Sequence, residues 1–137
     1  MLFVKQAIKT ALDELLSNDV KSYYEDSSDE ATFPYITYDF DQINTPDEAG
    51  DSFIVDIDGW DAPSNGDDTT LDTIMYNLDG DGNLESPTGL NQKIVEIDKL
   101  FLSMRRVDRQ PIPDPDKTIR RRRYSYQVSV FEKEEEV

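Results

Sequence analysis

An acidic, glycine-containing segment at residues 77–88 has side chains spaced as in a calcium-binding EF-hand loop. In that register, oxygen-bearing side chains fill positions one, three and five, and a glycine fills position six. Position twelve, which requires a bidentate glutamate, is Thr88. Two interpretations stay open: a weak calcium site, which would make melting calcium-dependent, or a simple Asp/Gly turn between two helices. The candidate ligands are Asp79, Asp81 and Asn83. We expect the turn, and no bound metal or cofactor.

Side chains suited to catalysis are scarce in this chain. It has no histidine and no cysteine, which removes the commonest general base, the Ser-His-Asp and Cys-His pairs, thiolate metal sites and disulfides. Asp56 and Asp58 should share one face of a strand, a placement that suits acid/base or two-metal chemistry. Such pairs also arise by chance in a chain with 30 acidic residues. We therefore expect no enzymatic activity and no catalytic residues.

Charge is distributed unevenly along the chain. The formal net charge is −16, yet residues 105–123 hold eight basic and three acidic residues, a net of +5. The other 118 residues hold six basic and 27 acidic residues, a net of −21. The acidic majority repels phosphates and so opposes nucleic-acid binding. The separation of sign favours association with another copy of the chain or with a partner of matching potential.

Four consecutive arginines, Arg120 to Arg123, form the densest part of the basic segment. Along a strand, Arg120 and Arg122 should face one side and Arg121 and Arg123 the other. Adjacent like charges repel, so carboxylates should lie nearby, either in the same chain or on a neighbouring subunit; nucleic-acid contact is a third alternative. The candidate interface consists of Arg105, Arg106, Arg109, Arg120, Arg121, Arg122 and Arg123, facing Asp39, Asp56 and Asp58.

Hydrophobic periodicity predicts a single α+β domain over residues 1–137, with helices packed on one face of a small, mixed but mostly antiparallel sheet. Predicted helices cover 2–17, 69–78 and 90–104. Predicted strands cover 33–40, 52–60 and 124–130, the last extended backwards through the arginines. Three prolines in five positions predict an extended arm or long loop at 105–118, and the Glu-rich tail at 132–137 should fray. With no signal-peptide or membrane-spanning segment, we expect no membrane contact.

The order of these elements is similar to a known family. The segments that carry the similarity are Phe33-Pro34-Tyr35-Ile36, the acidic strand ending near Trp60, Ile97-Asp98-Lys99-Leu100-Phe101, and the run from Arg120 to Glu132. The chain resembles the tail terminator proteins of long-tailed bacteriophages, also called tail completion or tail-to-head joining proteins. In prophages they are often labelled minor capsid or minor tail proteins. The Asp/Gly loop at 79–85 and the strong acidity have no counterpart in the family's role.

The resemblance implies a non-catalytic protomer that forms a hexameric ring on the last ring of the tail tube. The ring stops tube growth and offers a surface to the head connector. Expected partners are other copies of the chain, the major tail tube protein and the head completion protein, at the head–tail junction of a virion assembled in the bacterial cytoplasm. A basic arm facing an acidic surface would supply the heterologous interface that a ring needs. The alternative is an acidic DNA mimic that inhibits a host nucleic-acid-binding protein, which should be a monomer or dimer; the arginine cluster fits it poorly.

Overall fold

The described part of the chain forms two helices and one six-stranded sheet. A computed structural model describes residues 2–17, 19–25, 31–40, 52–97 and 100–132. The elements are α1 (Leu2–Leu15), β1 (Lys21–Tyr24), β2 (Tyr35–Phe40), β3 (Ser52–Asp61), α2 (Thr69–Asp79), β4 (Ile94–Ile97), β5 (Leu100–Pro111) and β6 (Arg120–Glu132). The strand order is β1-β2-β3-β6-β5-β4. β1 and β2 are parallel and all other neighbours antiparallel, which confirms the predicted α+β fold with a mixed sheet.

The two helices form as their hydrophobic spacing predicts. In α1, Val4, Ile8 and Leu12 recur every four residues and are fully buried. In α2, Leu71 and Met75 repeat the pattern and are also fully buried. These side chains belong to one core cluster with the inward-facing residues of the sheet. No helix among the described residues is long and apolar enough to cross a membrane.

Gly59 of β3 sets how closely α2 approaches the sheet. A Cβ atom at this position would lie 2.6 Å from Sδ of Met75 and 2.9 Å from Cδ1 of Leu71, both closer than van der Waals contact. The missing side chain therefore lets the buried stripe of α2 rest directly on the β3 backbone. The helix is held against the face of the sheet that also carries Val55 and Ile57.

Among the residues that the structure describes, the two helices pack on the same face of the sheet. Apolar residues of β2, β3, β5 and β6 alternate toward that face and are buried: Ile36, Tyr38, Phe40, Phe53, Val55, Ile57, Leu102, Met104, Tyr126, Val128 and Val130. The other face, which we call the open face, carries the intervening residues. Its central part consists of Tyr35, Thr37, Asp39, Ile54, Asp56, Asp58, Trp60, Arg121, Arg123, Ser125 and Gln127.

The predicted helix at 90–104 is wrong, because this stretch forms β4 and the start of β5. Its apolar residues fit a helical period, but Leu100, Leu102 and Met104 also alternate as in a strand. Pairing with β6 selects the strand, since Leu102 opposite Val130 and Met104 opposite Val128 are all buried. Three β-branched residues, Ile94, Val95 and Ile97, also favour extended structure.

The first half of the predicted arm at 105–118 is part of the sheet. Residues 105–111 complete β5 and pair with β6, with an irregularity between Arg106 and Asp108, and residues 112–119 connect the two strands. β1, which pairs with β2, was not predicted. The predicted strands at 33–40, 52–60 and 124–130 are confirmed, and the arginines do extend the last one. The predicted frayed tail begins at Glu132, which is the last residue of β6, and its remaining residues, 133–137, lie outside the described residues.

Candidate functional site

The register of β2, β3 and β6 aligns polar and aromatic side chains in three rows across the open face. From one end of the sheet, the rows are Tyr35, Trp60 and Arg121; Thr37, Asp58 and Arg123; and Asp39, Asp56 and Ser125. Strand pleating places successive rows on the same face because every second residue points to it. The sequence placed Asp56 and Asp58 on one face, which the structure confirms.

Asp58 is the centre of the middle row. Its side chain is 8% exposed and accepts hydrogen bonds from Nε (3.1 Å) and Nη2 (2.5 Å) of Arg121. It also accepts from Nε (2.9 Å) and Nη2 (3.1 Å) of Arg123. The hydrogen bond with Asp58 raises the pKa of Arg123, and the negative charges of Asp56 and Asp39 add to that effect. One carboxylate thus holds two guanidinium groups by a charge-assisted network within the chain.

Aromatic side chains stack on one another along the row that contains Tyr35, Trp60 and Arg121. Phe33 stacks on Tyr35 with ring centroids 5.2 Å apart, and Tyr35 stacks on Trp60 at 6.1 Å. The guanidinium carbon of Arg121 lies 4.4 Å from the centroid of the Trp60 ring, a cation–π contact. The Trp60 indole Nε1 donates a hydrogen bond to Oγ1 of Thr37 (2.9 Å), which fixes the ring. The result is a rigid aromatic platform on the open face.

A hollow of about 300 Å³ lies beside this platform, and we call it the acidic hollow. Its charged lining is Glu25, Asp39, Asp56, Asp58, Arg121 and Arg123. Asp39 and Asp56 stand directly opposite each other on β2 and β3. Asp56 accepts a hydrogen bond from Oγ of Ser125 (2.6 Å), and Asp39 accepts one from the backbone N–H of Phe40 (2.8 Å). Neither forms an ion pair with a described residue, so the hollow keeps unneutralised negative charge.

The other two arginines of the run point to the helix side of the sheet, as alternation predicts. Arg120 binds Asp68 through Nε (2.8 Å), and Arg122 binds Asp68 (2.9 Å) and Asp72 (3.1 Å). Asp68 and Asp72 are one turn apart at the start of α2, so they present carboxylates on the same side. All four arginines of the run therefore have carboxylate partners in their own chain, the first of the alternatives that the sequence left open.

The remaining basic residues of the predicted interface differ in whether a carboxylate binds them. Arg105 donates from Nη2 to Oε1 of Gln127 (2.9 Å) on the open face. Arg106 pairs with the buried Asp79. Arg109 is exposed and forms no ion pair with any described residue. Arg105 and Arg109 are therefore the two arginines of the segment whose charge is not matched by a described carboxylate.

The Asp/Gly loop uses its polar side chains for its own structure. Asp79, a candidate calcium ligand, is 5% exposed and accepts hydrogen bonds from the Tyr126 hydroxyl (2.8 Å) and from Arg106. Burial and then the Asp79 charge raise the pKa of Tyr126. The exposed Asp81 accepts from the backbone N–H of Asn83 (3.0 Å), which lowers its pKa.

Asn83 in turn accepts from the backbone N–H of Glu85 (2.9 Å). The three candidate ligands bind different groups, an arrangement that corresponds to the turn, here between α2 and β4. Among the described ranges, no three Asp or Glu side chains cluster in a way that could hold a metal ion.

Sequence reasoning did not find the aromatic platform or the Arg106–Asp79–Tyr126 cluster. The spacing of Asp68 and Asp72 was the one local signal for the carboxylates that bind Arg120 and Arg122. Apart from the local stacking of Phe33 on Tyr35, the contacts of the platform and of the cluster join residues that are 23 or more positions apart along the chain. Such contacts depend on strand order, which local patterns do not specify.

Comparison with protein-family models gives no match, and comparison with curated proteins gives none either. Among solved structures, the chain is similar to a chain of the virion of a native gene transfer agent particle, with a TM-score of 0.61 and 12% sequence identity. The match covers 93% of this chain and 96% of that one. Over nearly its whole length, the protein therefore shares its fold with a chain of that virion.

Proposed function

We propose that the protein is a structural component of a phage or prophage virion, and more specifically a tail terminator. In this role six copies form a ring that caps the tail tube and joins it to the head connector. The main support is the fold that the protein shares, over 93% of its length, with a chain of a gene transfer agent virion. The resemblance of its sequence to tail terminators supports the position at the head–tail junction.

The open face supports a role in protein–protein contact rather than catalysis. It offers a broad polar and aromatic surface with an acidic hollow, and the chain has neither histidine nor cysteine to act as base or nucleophile. We propose other copies of the chain, the tail tube protein and the head connector as partners. The strong net negative charge argues against nucleic acid as a partner.

Mass in solution tests the ring. Light scattering after size-exclusion chromatography should give a hexamer, six times 15.7 kDa or about 94 kDa, at high protein concentration or after addition of tail tube protein from the same genome. Electron microscopy of tubes assembled with the protein should show capped tubes of restricted length. A monomer or dimer at every concentration, together with unchanged tube length, would contradict the proposal and favour the DNA mimic.

A further inference from the structure

We propose that Asn65 is a site of spontaneous deamidation, at which the folded protein converts a side-chain amide into aspartate or isoaspartate. Asn65 is followed by Gly66 in the connection from β3 to α2, and both residues are exposed. The chain contains six asparagines, and Asn65 is the one that a glycine follows. The inference is independent of the proposed ring, because it concerns chemistry within one subunit.

The reaction needs only the chain itself and water. The backbone nitrogen of Gly66 loses its proton, attacks Cγ of Asn65 and forms a C–N bond, and the side-chain amide nitrogen leaves as ammonia. The product is a cyclic imide. Water then adds to either carbonyl carbon of the imide and breaks its bond to the nitrogen, which yields aspartate or isoaspartate. In isoaspartate the main chain runs through Cβ and Cγ, so the connection becomes longer by one carbon atom.

Gly66 leaves its nitrogen accessible to this reaction. It has no Cβ atom, so no side chain crowds the ring that has to close. Its φ of +73° lies in the left-handed region, which residues with side chains rarely adopt. Its N–H donates to the carbonyl oxygen of Pro63 across 3.2 Å, a long hydrogen bond in an exposed turn. The nitrogen therefore becomes available through a small local opening rather than through unfolding.

A hydrogen bond already folds the Asn65 side chain over the backbone that follows it. Oδ1 of Asn65 accepts from the backbone N–H of Asp67 (3.0 Å). The ring closed by this hydrogen bond contains both Cγ of Asn65 and the nitrogen of Gly66, so it brings the two reacting atoms toward each other. The same donor stabilises the negative charge that develops on Oδ1 as the nitrogen adds to Cγ.

A positive charge beside Gly66 favours the deprotonated nitrogen, which is the attacking species. Nη2 of Arg120 lies 3.8 Å from the point where a Cβ atom of Gly66 would stand. Nε of Arg120 donates to Asp68 (2.8 Å), which holds the guanidinium in this place. The carboxylate of Asp67 accepts from the backbone N–H of Thr69 (2.9 Å) and from its hydroxyl. Both neighbouring carboxylates are thus bound elsewhere, and Arg120 is the charge that faces the reacting nitrogen.

Asn83 provides a matched reference within the same chain. It is exposed, and its Oδ1 accepts from the backbone N–H of Glu85 (2.9 Å), the same arrangement as at Asn65. The residue after it is Leu84, whose side chain hinders ring closure. A difference in rate between Asn65 and Asn83 therefore reports on the glycine and the nearby guanidinium, not on exposure or on the side-chain hydrogen bond.

Deamidation would place a new carboxylate next to the arginine run. The formal net charge would change from −16 to −17, the loss of one neutral amide for one negative group. The new carboxylate would compete with Asp68 for Arg120, and isoaspartate would also lengthen the connection between β3 and α2. Aged subunits would therefore differ from new ones in charge and backbone at this end of the sheet.

Mass spectrometry of the purified full chain, incubated at mildly alkaline pH, tests the site. Digestion at acidic residues separates Asn65 from Asn83. The peptide with Asn65 should gain about 1 Da and split into two chromatographic peaks, aspartate and isoaspartate. Its rate should exceed that of the Asn83 peptide by at least about tenfold. Circular dichroism before and after incubation establishes that the protein stays folded, and Asn65→Gln, which cannot close the same ring, should show no gain at this position.

Arg120 is tested by its charge. Arg120→Gln should slow the reaction by about threefold, the effect of one unit charge roughly 6 Å away in water, and Arg120→Lys should not. Added salt should slow the wild type and leave Arg120→Gln unchanged, a difference that a purely structural role of Arg120 would not produce. A free peptide of residues 62–69 gives the rate without the fold. The proposal is refuted if Asn65 of the folded protein is intact when this peptide has fully reacted, or if Asn83 reacts as fast as Asn65.

Discussion

Replacement of Asp58 by asparagine should destabilise the protein strongly. Asp58 accepts four hydrogen bonds from Arg121 and Arg123, and its side chain is 8% exposed. Asparagine has nearly the same shape but no charge and only one acceptor oxygen. The substitution leaves two guanidinium groups side by side on β6, each at most 30% exposed, without their shared counter-charge.

The expected magnitude follows from the burial of these groups. Removing one partner of a fully buried ion pair costs about 3–5 kcal/mol. The two arginines here are partly exposed and can regain some hydration, so we expect a loss of about 2–4 kcal/mol in the free energy of unfolding. For 137 residues, the unfolding entropy near 60 °C is about 0.29 kcal/mol/K. The melting temperature should therefore fall by about 7–14 °C.

Urea unfolding, followed by tryptophan fluorescence and circular dichroism, measures this loss without screening the ion pairs. Asp56→Asn is the matched control, since it removes one charge from the same strand and the same face. Asparagine at position 56 can still accept the hydrogen bond of Ser125, and the relief of repulsion from Asp39 offsets the lost attraction to Arg123, so stability should change by less than about 1 kcal/mol. If the two variants unfolded at the same urea concentration, the proposed role of Asp58 as an internal brace would be refuted.

Two further predictions concern the core. Gly59→Ala should lower stability by about 1–3 kcal/mol, because its Cβ atom would lie 2.6 Å from Sδ of the buried Met75; an unchanged urea midpoint would contradict this packing. Stability should also fall as pH rises above 10. Burial and Asp79 raise the pKa of Tyr126, so the folded state keeps a proton that the unfolded state loses, at about 1.4 kcal/mol per pH unit. Burial raises the pKa of Tyr38 to about 12, which adds to the fall. In urea titrations between pH 10 and 12, Tyr126→Phe should show a shallower decline than the wild type, and parallel declines would argue against a buried neutral phenol.

The elements with one unambiguous hydrophobic period were predictable from the sequence. α1 and α2 each show a single helical period and residues 124–130 of β6 a clean alternation, and the structure places all three where expected. The alternation of the arginine run was predictable for the same reason. Periodicity depends only on residues that are close in sequence, so it can be recognised without knowledge of the rest of the fold.

The elements that were missed lack such a signal. The stretch 90–104 satisfies a helical and a strand period at once, and pairing with β6 decides between them. β1 has only four residues, Lys-Ser-Tyr-Tyr, and becomes a strand because it lies beside β2. In both cases tertiary contacts override local preference.

The sequence by itself determined that opposite charges are separated along the chain, that the arginines alternate between two faces and that Asp56 and Asp58 share one. Only the tertiary structure decided which carboxylate each arginine binds. Arg121 and Asp58 are 63 residues apart and meet because β6 lies beside β3 in one particular register. The register of the strands is fixed by the burial of one face of the whole sheet. The local sequence of a strand does not specify which distant strand will lie beside it.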